Sequence, residues 1–106
     1  MISGKEIGDI LALYAKHGWI LRRVLLSDKL RENLTENLFG NMEIVSSKLD
    51  ALWFSRVSNK NEAWEIRHLS NTPFALVEVF PEGTSDKERE KVLSETQTRL
   101  INRTPK

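Results

Sequence analysis

The chain has 106 residues, with 16 Lys and Arg against 15 Asp and Glu, a formal net charge of +1 and no cysteine. That length suits one domain and not two, while 40% hydrophobic and 29% charged residues exclude disorder as a global state. The balanced charge lacks the strongly basic footprint of an obligate nucleic-acid binder, and the missing cysteines exclude a disulfide framework, a thiolate nucleophile and a Cys-based zinc site.

Ile7, Ile10, Leu11 and Tyr14 fall at the spacing that stacks side chains on one face of a helix, which predicts a helix over residues 3–17. Ser3 and Glu6 have capping-box spacing at its head, and Gly18 can take the left-handed conformation that closes it. Lys5, Glu6 and Asp9 break the run that a signal peptide would need to be apolar, and no stretch is long enough to span a membrane, so a cytoplasmic location is expected. Trp19 to Leu26 is rich in strand-favouring residues and too short for an independent helix, so a strand follows the Gly18 turn. From Ser27 to Gly40, a capping Ser27 or Asp28 and leucines at 30, 34 and 38 predict a short helix. Residues 41–50 read as a loop or a short edge strand around Met42, Ile44 and Val45.

Three strand-length apolar runs follow, at 50–57, 63–69 and 74–80, separated by the turn sequences Ser58 to Asn61 and Ser70 to Pro73. They predict an antiparallel meander. Pro81 and Gly83 end the last strand, and Ser85 with Glu88 repeats the capping spacing ahead of a helix running to about Asn102, with Asp86 and Glu88 in its first turn and Arg99 and Arg103 in its last, as the helix dipole favours. The expected fold is a single α+β domain over residues 1–106: a four- or five-stranded, mostly meander antiparallel sheet with N-terminal and C-terminal helices and a short helix after the first strand.

Strands put alternate side chains on opposite faces. One phase groups Ile20, Val24 and Leu26 with Ala51, Trp53, Val57, Trp64, Ile66, Ala75, Val77 and Val79, and reads as core, with both tryptophans as packing residues. The other phase mixes Leu21, Arg23, Leu25, Leu52, Phe54, Arg56, Glu65, Arg67, Leu69, Phe74, Leu76, Glu78 and Phe80. A wet face should be more polar than this, so something is expected to cover it. Either the 27–40 segment, the C-terminal helix or both fold over it, or a second copy or partner packs there with Arg23, Phe54, Arg56, Glu65, Arg67, Leu76 and Glu78 in the contact. The functional expectation is a protein-binding or assembly module acting through that face as a homodimer, in which Phe54→Glu with Leu76→Glu would abolish self-association and leave the fold intact. The rival is a nucleic-acid or anion binder using Arg22, Arg23, Arg56 and Arg67, whose binding would fall steeply with salt.

Enzymatic chemistry finds little support. His17 sits beside Gly18 where it would cap a helix, and His68, facing the core with Trp64 and Ile66, has no serine, second histidine or carboxylate at a spacing that completes a catalytic unit. No catalytic residue, metal ligand or cofactor site is therefore assigned; the five glycines at 4, 8, 18, 40 and 83 match no phosphate-loop spacing.

The opening KEIGDILALYAKHGWILRRV, a helix delivering Gly18 and Trp19 into an arginine-bearing strand, resembles the start of HicA-type toxins over about one fifth of the chain. The resemblance implies a dsRBD-like α-β-β-β-α fold and RNA cleavage. Those toxins follow the strand with a Gly-Ser-His motif carrying the catalytic histidine, whereas Leu25, Leu26, Ser27 and Asp28 stand here, which removes the activity. In element order alone the chain is also similar to the small dimeric chaperones of type III secretion.

Overall fold

Ser3 and Glu6 form the reciprocal cap that their spacing implies: Ser3 Oγ accepts from the Glu6 N–H at 3.2 Å and Glu6 Oε1 accepts from the Ser3 N–H at 3.2 Å. This begins α1 (Gly4–Lys16), which His17 caps before Gly18, at φ +83°, turns the chain into β1 (Ile20–Leu26). A computed structural model describes residues 2–35, 37–70 and 74–103. The chain continues through α2 (Asp28–Asn33), β2 (Ile44–Ser46), β3 (Ala51–Ser58), β4 (Asn61–His68), β5 (Ala75–Pro81) and α3 (Asp86–Arg103). The fold is α+β, and among the described residues no helix is long and apolar enough to cross a membrane.

The five strands lie in the order β2-β1-β3-β4-β5. From β1 through β3, β4 and β5 every pairing is antiparallel, giving the expected meander; β2 adds to β1 in parallel as a three-residue edge. Asn59 and Lys60, at φ 47° and 67°, make the two-residue turn between β3 and β4, the left-handed pair that matches the twist of a hairpin. The turn expected at Ser70 to Pro73 falls largely on residues 71–73, outside the described residues. A helix and two strands beyond α-β-β-β-α separate this element order from the toxin-like fold that the opening residues suggest.

Two sequence expectations are corrected. The helix expected to reach Gly40 stops at Asn33: Leu34 is extended, at φ −96° and ψ 118°, and the Asn33 side chain donates to the Lys29 carbonyl at 2.9 Å. The Asn and Thr residues at 33, 35 and 37 offer the backbone local alternatives to a helix, and Leu34, Leu38 and Phe39 reach the core from irregular chain. The strand phases also differ. Leu21 pairs with Phe54 and Arg23 with Trp53, so β1 carries one extra residue, a bulge that reverses its alternation from Arg23 onward. In β5, Leu76 pairs with Ile66 and Glu78 with Trp64, which turns Leu76 and Phe80 toward the tryptophans and Ala75, Val77 and Val79 away from them. FALVEVF is apolar in both phases, so periodicity alone left its orientation open.

The sheet consequently has a core on each side. Ile7, Ile10, Leu11 and Tyr14 of α1 and Leu30 of α2 close over Val24, Leu26, Leu52 and Phe54. On the opposite face Leu93 and Leu100 of α3 close over Leu25, Ala51, Trp53, Trp64, Ile66 and Phe80, with the two indoles edge to face at 6.2 Å and Trp53 Nε1 donating to Gln97 at 3.1 Å. Tyr14 locks α1 to the sheet: its ring stacks on Phe54 at 4.0 Å and its hydroxyl donates to Glu65 of β4. Burial first, and the Glu65 carboxylate second, raise the Tyr14 pKa above its ordinary 10.0. A raised phenol pKa means that the folded state holds the proton more tightly, so this contribution is complete below pH 10 and is lost as pH rises beyond it. Tyr14→Phe keeps the ring and removes the hydroxyl; it is expected to cost about 1–2 kcal/mol at pH 7 and to abolish the added alkaline destabilisation, as urea melts at pH 7 and pH 10.5 would record.

Candidate interaction surface

Strand alternation divides the residues expected to bind a partner between two surfaces. Arg23, Leu76 and Glu78 lie on the α3 side, whereas Phe54, Arg56, Glu65 and Arg67 lie on the α1 side. The single mixed face expected from the sequence does not exist, because β5, and β1 beyond its bulge, run in the opposite phase.

On the α3 side the charges are answered within the chain. Arg23 pairs with Glu90, and Arg89 with Asp86 at 2.9 Å and Glu62 at 3.7 Å. The guanidinium carbons of Arg22, Arg23 and Arg89 lie 5.1, 5.5 and 5.7 Å from the Trp64 ring centroid, within cation–π range. Glu78 accepts from Thr96 Oγ1 at 3.0 Å and pairs with Arg99, and half-buried Leu76 packs against the Trp53 cluster. These contacts fasten α3 to the sheet.

On the α1 side Phe54 is only 1% exposed, sealed beneath Tyr14, and Glu65 is held by the same tyrosine. Arg56 lies 4.7 Å over Trp19 and donates to the His17 carbonyl at 3.0 Å, closing the end of α1; Arg67 donates to the neighbouring His68 carbonyl. The four arginines considered for nucleic acid are thus split, Arg22 and Arg23 on one face and Arg56 and Arg67 on the other.

Among the described residues, the helices on the α1 side cover β1, β2 and β3, reach β4 through Tyr14 on Glu65, leave β4 half-buried there and leave β5 open. Ala63, Glu65 and Arg67 of β4 stand beside Val79, Val77 and Ala75 of β5, and Val77 and Val79 are 50% and 58% exposed. This surface escaped the sequence reading, which placed the two valines in the core. Side-chain size carried a usable signal: Phe74, Leu76 and Phe80 form the bulkier phase of the strand, and the bulkier phase gains more from burial.

The edge of β5 adds main-chain chemistry. The His68 N–H donates to the Phe74 carbonyl at 2.9 Å, which makes 68 and 74 a hydrogen-bonded pair of the antiparallel ladder. Alternation then directs the N–H and C=O groups of Leu76, Glu78 and Phe80 to β4, and those of Ala75, Val77 and Val79 outward. Among the described residues no strand pairs with that outer edge.

His68 lies at the end of β4. Its Nδ1 lies 3.0 Å from Ser70 Oγ, while the nearby Asp50 carboxylate accepts from the Ser27 N–H at 2.6 Å and Ser27 Oγ at 3.2 Å, tying the head of α2 to β3. Burial lowers the His68 pKa from 6.5 despite the opposing field of Asp50, with Arg67 adding to the lowering. The folded state therefore resists a proton that the unfolded chain accepts near 6.5, so stability is complete above that pH and declines as the pH falls. His68→Gln is expected to flatten the loss of urea midpoint between pH 7 and pH 5; an unchanged slope would contradict this assignment. Among the described residues no group of three or more His, Asp or Glu side chains is placed to hold a metal ion. Comparison with known proteins finds no family model, no curated protein and no solved structure that matches this chain.

Proposed function

We propose that this chain is a small cytoplasmic protein-binding or assembly module that self-associates as a homodimer through the open β5 edge of its sheet. The observation that carries the reading is the half-exposed pair Val77 and Val79 on an edge strand whose other face is sealed by α3. Edge strands in proteins that stay monomeric are kept short, charged, bulged or covered. The opposite edge, β2, is three residues long, but β5 is seven, with Pro81 only at its end and its one charge, Glu78, turned toward α3. The uncovered side chains are Ala75, Val77 and Val79, which offer a contacting strand apolar surface without charge. The cytoplasmic setting accords with a chain that contains no cysteine.

Light scattering across a tenfold concentration range tests the reading. The expected mass is about twice 12.2 kDa at the upper end, falling on dilution. A constant 12.2 kDa would refute self-association.

A further inference from the structure

The outward groups of β5 are self-complementary in one register, and we infer that two copies join by antiparallel β5–β5 pairing about a two-fold axis at Val77. This rests on the homodimer reading and adds the geometry of the contact. A two-fold axis perpendicular to the sheet keeps each open face on the same side, so residues that meet across the axis must share a face. Ala75, Val77 and Val79 share the open face and are also the residues whose N–H and C=O groups point outward. With the axis at Val77, Val77 meets its own copy, and Ala75 meets Val79 in both directions. Each of these pairs can exchange two main-chain hydrogen bonds, so every outward group from Ala75 to Val79 is satisfied.

The neighbouring registers are worse for stated reasons. An axis at Glu78 sets two carboxylates opposite each other in a close, non-hydrogen-bonded pair, where like charges repel. It also sets Ala75 against Pro81, which has no N–H to donate. An axis at Leu76 leaves Val79 with no partner in the second copy's β5, which begins at Ala75. An axis at Val79 sets Val77 against Pro81. The Val77 axis pairs every outward residue from Ala75 to Val79 with a partner that has an N–H to donate, and sets no two carboxylates opposite each other; Pro81 lies beyond that stretch. The result is one continuous ten-stranded sheet, two copies of the five observed, with a valine-rich stripe along the joint.

Because the chain has no cysteine, single introduced thiols report the register directly. Ala75→Cys, Val77→Cys and Val79→Cys all place the thiol at exposed positions of the open face and leave both cores untouched. Partners in a hydrogen-bonded pair have Cα atoms about 5.5 Å apart, within disulfide range, whereas a two-residue offset exceeds the roughly 7 Å limit. Each protein is oxidised with diamide alone and in pairwise mixtures, and disulfide-linked dimers are resolved by non-reducing electrophoresis. The expected result is efficient linkage for Val77→Cys alone and for the mixture of Ala75→Cys with Val79→Cys, and at least tenfold less for every other combination. Linkage favouring Val77→Cys with Val79→Cys would place the axis at Glu78, and Ala75→Cys with Val77→Cys would place it at Leu76; either overturns the register while the dimer stands. A dimer by light scattering with no preferred combination overturns β5 pairing. A monomer at all concentrations overturns the homodimer reading and this inference together.

Discussion

Phe54→Glu is expected to prevent folding, not to split a dimer. The ring is 1% exposed and stacks on Tyr14, so the substitution removes aromatic packing of the kind that costs about 3–5 kcal/mol and places a carboxylate out of reach of water, directly across the ladder from Glu65. Burying that charge adds several kcal/mol more, against a total stability of roughly 5–15 kcal/mol for a domain of this size. Leu76→Glu compounds the loss by putting a second charge beneath α3, close to the carboxylate of Glu78. The double variant, expected from the sequence to leave the fold intact, should instead show a collapsed far-ultraviolet dichroism signal at 25 °C and no cooperative urea transition. A native-like spectrum with a sharp transition would show that Phe54 does not belong to the core.

Val77→Lys with Val79→Lys should do what that pair was expected to do. Both valines are at least half exposed and belong to neither buried cluster, so each change should alter monomer stability by about 1 kcal/mol or less, mostly through strand preference. At a two-fold contact, however, two substitutions place four ammonium groups along one joint. Like charges brought together at an interface cost several kcal/mol, and each 1.4 kcal/mol is tenfold in affinity. Self-association is expected to weaken by at least about a hundredfold, read as a monomeric mass at concentrations where the unsubstituted chain is dimeric, with the urea midpoint little changed.

The contrast between these two variants shows where the sequence was informative. Features set within a few residues were legible: the Ser3–Glu6 cap and Gly18 bound α1, Ser58 to Asn61 turns between β3 and β4, and Ser85 accepts the Glu88 N–H at 3.1 Å at the head of α3. Phase was legible in β3 and β4, where Trp53, Trp64 and Ile66 stay apart from Phe54, Glu65 and Arg67. It failed in β1, where one bulged residue reverses the pattern, and in β5, where both phases are apolar. The parallel pairing of β2 with β1 is a long-range event that no local signal in Asn41 to Asp50 encodes. As a consequence Arg56, Glu65 and Arg67 were correctly grouped on one face, but the two residues that leave that face unfinished, Val77 and Val79, were assigned to the interior.

Mass alone establishes that two copies meet, but residue-resolved amide exchange establishes where. In an isolated chain, the N–H groups of Ala75, Val77 and Val79 point away from β4 and should exchange quickly, alternating with protected amides at Leu76, Glu78 and Phe80. In a dimer joined at β5 the alternation disappears. The Val77 and Val79 amides are expected to be protected at high protein concentration and to become exposed on dilution, while Leu76 and Glu78 stay protected throughout. Fast exchange at Val77 and Val79 that is independent of concentration would contradict it.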